Sequence, residues 1–310
     1  MLVRVHRAGV CGTDLHAYRG RQPFFTYPRI IGHELGVEVV AVGEGVENLN
    51  IGDKCAAEPY LNCGNCVACR RGKGNCCTSM QVLGVHVDGG MRPLLVLPAS
   101  KLHSSQQLSF DQLALVETLG IGAHAVARSQ IEAGEIVLVI GAGPIGFAVL
   151  QFVKLAGATP ILLDINPSRL EFAKRVFNIE TVFDARQTTP ESLEETLGDL
   201  PTCVFDATGN PTSMNGAFEY VAAGGKLVLV GLHQGEVTFH DPLFHRREMT
   251  LLATRNALPA DLQRVLRASE AGTLDTTPWI THRVSLEAAP EHFSQWLDPG
   301  SGTLKAMIEL

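Results

Sequence analysis

The stretch Ile136-Val137-Leu138-Val139-Ile140-Gly141-Ala142-Gly143-Pro144-Ile145-Gly146 decides the fold. Its first five residues are a continuous apolar, mostly β-branched run, which predicts a strand buried on both faces, as in a parallel sheet covered by helices. The glycines that follow turn the chain into a helix, and Pro144 suits a first turn, where a backbone N–H has no partner to lose. A Gly-x-Gly-x-x-Gly pattern alone means little in a chain with 31 glycines among 310 residues. Between a strand and a helix it predicts a dinucleotide site: the turn is tight, and a pyrophosphate can approach the helix N–H groups closely. Asp164 closes the next apolar run, Ile161-Leu162-Leu163-Asp164, 18 residues after Gly146. A carboxylate there accepts hydrogen bonds from a ribose 2′-OH and repels a 2′-phosphate, so NAD is expected rather than NADP. The competing reading is a tight turn in a ligand-free α/β domain, and the placed aspartate argues against it.

Outward from this stretch, helices are expected over Pro144–Ala156 and, capped by Asn166, over Pro167–Phe177. Strands are expected at Thr181–Phe183, Cys203–Asp206 and Lys226–Val230. Alternating strands and helices imply a parallel, doubly wound α/β sheet. Upstream the rhythm differs. Short apolar runs such as Val37–Val42 and turn signals at Gly52-Asp53-Lys54 and Asp88-Gly89-Gly90 predict an all-β region to about Ser100. A helical stretch is expected from Asp111 to Ser129, and downstream over Ala260–Ala271 and Ser285–Leu297, with a last strand at Leu304–Ile308.

Composition narrows the function classes. The chain is 45% hydrophobic and 18% charged, with a formal charge of −7. An acidic balance argues against nucleic-acid or anionic-membrane partners, which need a basic face. Ile136–Val153 runs 18 residues without a charge, but its glycines and Pro144 read as a turn rather than a membrane span. Met1–Arg7 lacks the apolar stretch of an export signal, so a cytoplasmic protein is expected. In that reducing compartment, clustered cysteines mean metal or catalysis more often than disulfides.

Five of the eight cysteines fall between Cys63 and Cys77. Cys63, Cys66, Cys69 and Cys77 offer four thiolates on one glycine-bearing loop, the donor set of a closed, structural zinc site; an iron–sulfur cluster is the alternative that spacing leaves open. Cys76 reads as a spectator, and Cys55 and Cys203 as small buried hydrophobes. A second constellation is looser: Cys11-Gly12-Thr13-Asp14-Leu15-His16 and Gly32-His33-Glu34. A cysteine, a histidine and a carboxylate form the mixed ligand set of a catalytic zinc site with an open position. Each alone is more often structural; their joint appearance upstream of a thiolate loop and a dinucleotide motif raises the functional reading.

In this order the motifs resemble the zinc-dependent medium-chain dehydrogenase/reductase family, over nearly the whole chain. The resemblance implies a Rossmann-type doubly wound parallel sheet inserted into a GroES-like β-rich catalytic domain, with boundaries at 1–118, 119–257 and a returning segment 258–310. It implies reversible oxidation of a secondary alcohol to a ketone with hydride transfer to NAD, two Zn2+ per chain, and a homodimer or homotetramer. It assigns Cys11, His33, Glu34 and the switchable Glu117 to catalytic zinc, and Cys63, Cys66, Cys69 and Cys77 to structural zinc. Thr13 would accept the hydroxyl proton, His16 would pass it to solvent, and Asp14 would orient a metal-bound imidazole. The family usually has proline after the Glu117 position, where this chain has Thr118. Gly141, Gly143, Pro144, Ile145, Gly146, Asp164, Arg169, Leu232 and Arg255 would hold NAD.

A narrower resemblance, to the L-galactonate-type, sugar-acid-oxidising branch, rests on Gln22–Arg29, Gly84-Val85-His86, Leu232–Gly235, Phe244–Glu248 and Arg255-Asn256. His86, His245 and Arg246 would meet a sugar acid's carboxylate and hydroxyls. Threonine-type or simple-alcohol dehydrogenases, and a non-catalytic zinc- and NAD-binding relative, are the rival readings. Family members carry roughly 25 further residues before the strand at Leu2–Val5; without those early strands an unpaired edge is expected beside Cys11.

Overall fold

In the computed structural model, which describes residues 1–22 and 24–310, the chain divides into two units, Met1–Gly120 with Asn256–Leu310, and Ile121–Arg255. Pro23, within the Gln22–Arg29 stretch, lies outside the described residues. The first unit opens with β1 (Leu2–Val10), β2 (Glu34–Ala41), β3 (Lys54–Ala57), β4 (Tyr60–Leu61), β5 (Gln81–Val82), β6 (Leu94–Val96) and β7 (Leu102–Ser104). The second holds β8 (Ile136–Ile140), β9 (Thr159–Asp164), β10 (Val182–Asp184), β11 (Cys203–Asp206), β12 (Lys226–Leu229) and β13 (Thr250–Ala253). The chain then rejoins the first unit with β14 (Ile280–Ser285) and β15 (Lys305–Glu309).

The second unit is a parallel sheet in the order β10-β9-β8-β11-β12-β13. Strand β8 sits at its centre, and Val137, Leu138 and Val139 are fully buried, which is why the run carries no alternation. Each leucine buried this way contributes roughly 1.5–3 kcal/mol relative to exposure. Proline occupies the first turn of the helix Pro144–Leu155, and Asn166 caps Pro167–Phe177 by accepting from the Ser168 and Arg169 N–H groups. Strand order reverses at β8, the position where open α/β sheets leave a crevice at their carboxyl ends.

The first unit is built on a sheet in the order β14-β15-β1-β2-β3-β7, with β6 also on β1. Its core gathers Val3, Val5, Ala8, Leu35, Val37, Val39, Phe293, Trp296 and Ile308. The unpaired edge expected beside Cys11 is not there. Strand β1 pairs with β2 along one flank, and on the other with β6 at Leu2–Arg4 and β15 at Arg7–Val10. The C-terminal strand fills the flank because its buried face, Lys305–Ile308, continues the same core.

Three local expectations need correction. The region read as all-β contains the helix Gly12–Tyr18, started where the Asp14 carboxylate accepts the Cys11 N–H at 2.9 Å. The stretch Asp111–Ser129 is two helices, Phe110–Ala114 and Val116–Ser129, the first begun by a reciprocal Ser109–Gln112 cap. Strand β14 precedes the last long helix, Ala289–Trp296; its alternating burial marks a half-exposed edge strand. No helix among the described residues is long and apolar enough to cross a membrane.

Candidate metal and nucleotide sites

The sharp turn from β1 into the helix Gly12–Tyr18 presents Cys11, and the turn into β2 presents His33 and Glu34. One ligand atom from each of the three lies within 4.8 Å of the others. Asp14, fully buried, ties the two turns together: it accepts the Cys11 N–H through Oδ2 and the Gly32 N–H, at 3.2 Å, through Oδ1. His33 Nδ1 stands 3.7 Å from the same Oδ1 and has no hydrogen-bond partner among the described residues. Burial opposes a charge on His33, yet the Asp14 carboxylate and the Cys11 thiol raise its pKa well above the ordinary histidine range. Burial raises Asp14 and Glu117 above the usual carboxylate range. A thiol, an imidazole and buried carboxylates aimed at one another are a donor set that fits zinc.

The two carboxylates here, Glu34 within the set and Glu117 outside it, are held differently. Glu34, 1% exposed, is clamped by Lys305 Nζ at 2.7 and 2.8 Å on its two oxygens. Burial disfavours its charge, but the Lys305 ammonium keeps its carboxyl below the usual range. Lys305 also donates to Val10 O at 3.3 Å and to Thr118 Oγ1 at 3.4 Å. The threonine that replaces the family's proline therefore joins the ion pair. Glu34 reaches its place only because residue 9 is glycine: a Cβ there would overlap the Glu34 carboxylate. Glu117, at the start of the helix Val116–Ser129, stands outside the three-residue set and instead accepts a hydrogen bond from the buried Tyr60 hydroxyl.

Thr13 and His16 follow on the same short helix, half-buried and exposed respectively. His86 commits its Nδ1 to the Val82 N–H at 3.1 Å, while His245 and Arg246 are exposed at the end of the helix Asp241–Arg246 in the other unit.

The four cysteines converge as expected: Cys63, Cys66, Cys69 and Cys77 bring their sulfurs within 4.8 Å of one another, without disulfides. Exposed Cys76 is outside the group. The loop is wired for thiolates. Cys77 Sγ accepts from the Cys63 and Ser79 N–H groups at 3.2 and 3.4 Å, and Cys69 Sγ accepts from Asn62 Nδ2 at 3.6 Å. Backbone N–H groups of Cys69 and Thr78 pull the Cys66 thiol down to about 5. Four convergent sulfurs, one of them acidified in this way, fit a tetrahedral zinc.

The nucleotide residues collect at the carboxyl ends of the parallel strands. Gly141–Gly146 follows β8, Asp164 ends β9, Leu232 lies beyond β12 beside Gly209, and Arg255 lies beyond β13. A Cβ at Gly146 would overlap the Gly141 carbonyl, so the glycine lets the helix start close against the strand. Gly143 caps that helix with no side chain, leaving its N–H groups to a ligand, and Arg169 Nη1 lies 3.9 Å from where a Gly143 Cβ would stand. Asp164 accepts from the Ala142 N–H at 2.5 Å and the Asn166 N–H at 2.7 Å, so it also ties the glycine loop to its own strand.

The sequence reading missed Lys305 and Tyr60. A lone lysine inside the otherwise apolar run Leu304–Ile308 was the available signal for the first; nothing local marks the second.

The chain's likeness to known proteins defines its class. Residues 1–107 match the alcohol dehydrogenase GroES-like domain and residues 144–271 the zinc-binding dehydrogenase family. The chain belongs to the zinc-containing alcohol dehydrogenase family and is an alcohol-oxidising oxidoreductase. It is 37% identical over 308 residues to L-galactonate-5-dehydrogenase of Escherichia coli K12, covering 99% of this chain and 91% of that protein. The crystal structure of the short chain alcohol dehydrogenase RspB from E. coli CFT073, complexed with NADH, superimposes with a TM-score of 0.93 at 29% identity, covering 100% of this chain and 91% of that one. A zinc-binding dehydrogenase of Sinorhizobium meliloti 1021 bound to NADP gives 0.92 at 27% identity, covering 100% and 92%.

Proposed function

We propose that this chain is a zinc-dependent, NAD-linked dehydrogenase that interconverts the secondary alcohol of a sugar acid or polyol and its ketone. The observation that carries the reading is the convergence of Cys11, His33 and Glu34 on one point, above a buried Asp14. Cys11 and His33, with Glu34 or Glu117, would hold the catalytic zinc, and the four-cysteine loop a second, structural one. When bound, zinc supplies a Lewis acid and NAD a hydride acceptor.

The protein's own groups do the rest. Asp14 holds the backbone of both ligand turns, and its Oδ1 faces the His33 ring to orient it. Thr13, two residues after Cys11, relays the proton of the substrate hydroxyl by accepting it while giving up its own, and exposed His16 releases a proton to solvent. At the other site, Gly141–Gly146 receives the pyrophosphate, Arg169 lies alongside, and Asp164 accepts the adenine-side ribose hydroxyls and opposes a 2′-phosphate. Likeness to a dehydrogenase of L-galactonate supports the sugar-acid substrate class. Unbridged cysteines suit a reducing cytoplasm, and we expect a homodimer or homotetramer.

The test is NADH formation across aldonic acids, polyols, threonine and simple alcohols, with zinc counted per chain. About two zinc and turnover of an aldonic acid or polyol support the proposal; about one zinc and no turnover mark a binding module instead.

A further inference from the structure

The two carboxylates beside Cys11 and His33 are not equivalent. Glu34 has both oxygens occupied by the Lys305 ammonium, a clamp that fixes its orientation. Glu117, 7% exposed, accepts one hydrogen bond from the described residues, from the hydroxyl of Tyr60 on Oε1. Its second oxygen is free to turn about that point. Tyr60 is itself 3% exposed and held from both sides. Strand β4 pairs it with Val82. Two residues on, Asn62 donates to Cys69 Sγ of the thiolate loop at 3.6 Å and accepts from Lys101 at 2.9 Å. Two residues before it, Glu58 pairs with Lys101 and, at 2.9 Å, with His103, whose other ring nitrogen meets Gln263 at 2.9 Å. A polar chain, buried at Glu58, Lys101 and His103, thus flanks the phenol on both sides and fixes where it can be.

We infer that Tyr60 is a positioning residue that keeps Glu117 as an exchangeable metal ligand, by anchoring one carboxylate oxygen and leaving the other to swing. The inference rests on the proposed role of Glu117 and adds the group that governs it. A donor on a carboxylate draws charge away from it, so the anchored Glu117 binds a cation less strongly than a bare one. It also stays within reach, so the incoming alcohol oxygen displaces a weak, tethered ligand rather than a strong one. Loss of the hydroxyl releases Glu117 to bind harder, and the alcohol then has to compete against it.

The experiment uses Tyr60→Phe, Glu117→Ala and the double variant, with cobalt in the catalytic site. It reads the visible cobalt spectrum without substrate, then alcohol KM, NAD KM and kcat. Tyr60→Phe keeps the packed ring, and retention of the thiolate-loop zinc with an unchanged circular dichroism spectrum confirms its fold. The expected result is a changed substrate-free cobalt spectrum and about a tenfold rise in alcohol KM, with kcat altered by less than about threefold and NAD KM unmoved. In the Glu117→Ala background, Tyr60→Phe is expected to change neither spectrum nor KM. The inference is overturned if Tyr60→Phe leaves spectrum and KM at wild type, or shifts them equally with and without Glu117. If Glu117→Ala alone leaves the cobalt spectrum unchanged, Glu117 is no ligand, and its proposed role falls together with the inference.

Discussion

Replacing Lys305 by methionine removes a charge from beside the Cys11, His33 and Glu34 cluster while keeping the length of its side chain. Lys305 and Glu34 are 2% and 1% exposed, and the ammonium lies within 2.8 Å of both carboxylate oxygens. Taking one partner out of such a pair leaves the other buried and uncompensated, which costs about 3–5 kcal/mol. At about 2–4 °C of melting temperature per kcal/mol for a domain of this scale, the expected fall is roughly 10 °C. The assay is urea and thermal unfolding of four proteins: the wild type, Lys305→Met, Glu34→Gln and the double variant. Each single change strands one charge, whereas the double change removes both, so the double variant is expected to recover most of the loss. The reasoning is refuted if the two single costs simply add, or if Lys305→Met costs less than about 1 kcal/mol.

If Asp164 opposes a 2′-phosphate as proposed, Asp164→Gly should lower the ratio of kcat/KM with NAD to that with NADP by at least about tenfold; an unchanged ratio counts against that role. Cys66→Ser removes the thiol pulled down to about 5, and zinc per chain measured by mass spectrometry should fall from about two to about one. Asp111, about a quarter exposed, accepts from Arg7 at 2.9 Å and from Arg283 at 2.6 and 3.1 Å. Burial opposes its charge, but the two guanidiniums, Arg283 foremost, hold its carboxyl below the usual range. A depressed native pKa adds stability that is full above the unfolded value, near pH 4, and is lost as pH falls on through the lower native value. Asp111→Asn should therefore cost about 1 kcal/mol in urea unfolding at pH 7 and much less at pH 3; an equal cost at both would show that the ion pairs contribute nothing.

What was legible in the sequence was local. The run Ile136–Ile140 announces a buried strand because no residue in it can face water, and Gly141–Gly146 announces the turn because side chains would collide there. The four cysteines lie on one short loop, so their convergence needs no tertiary information. Cys11, His33 and Glu34 were nameable through resemblance, but not the way Glu34 is held, since Lys305 lies 271 residues away. The same distance hid the pairing of β1 with β15, and with it the closed flank beside Cys11. Tyr60 was hidden differently: a tyrosine at the mouth of a metal loop reads as packing until its hydroxyl is seen to meet Glu117. The helix Gly12–Tyr18 was missed because its stabilising contact is a carboxylate reaching back to a backbone N–H, which no hydrophobic pattern records.

The joining of β1 to β15 sets an order of events during synthesis. Lys305 meets Val10 across a sequence separation of 295 residues. A ribosome therefore releases the whole Ile121–Arg255 sheet, whose strands are close neighbours in sequence, before the partner for the flank of β1 exists. Until then the residues beside Cys11 present an open strand edge, and Glu34 lacks its cation. The residues from Lys305 onward close the first sheet and bring the charge that lets Glu34 stay ionised inside it. A nascent chain stalled short of Lys305 would hold a finished Ile121–Arg255 unit tethered to an unfinished first unit, with an exposed edge open to pairing with other chains.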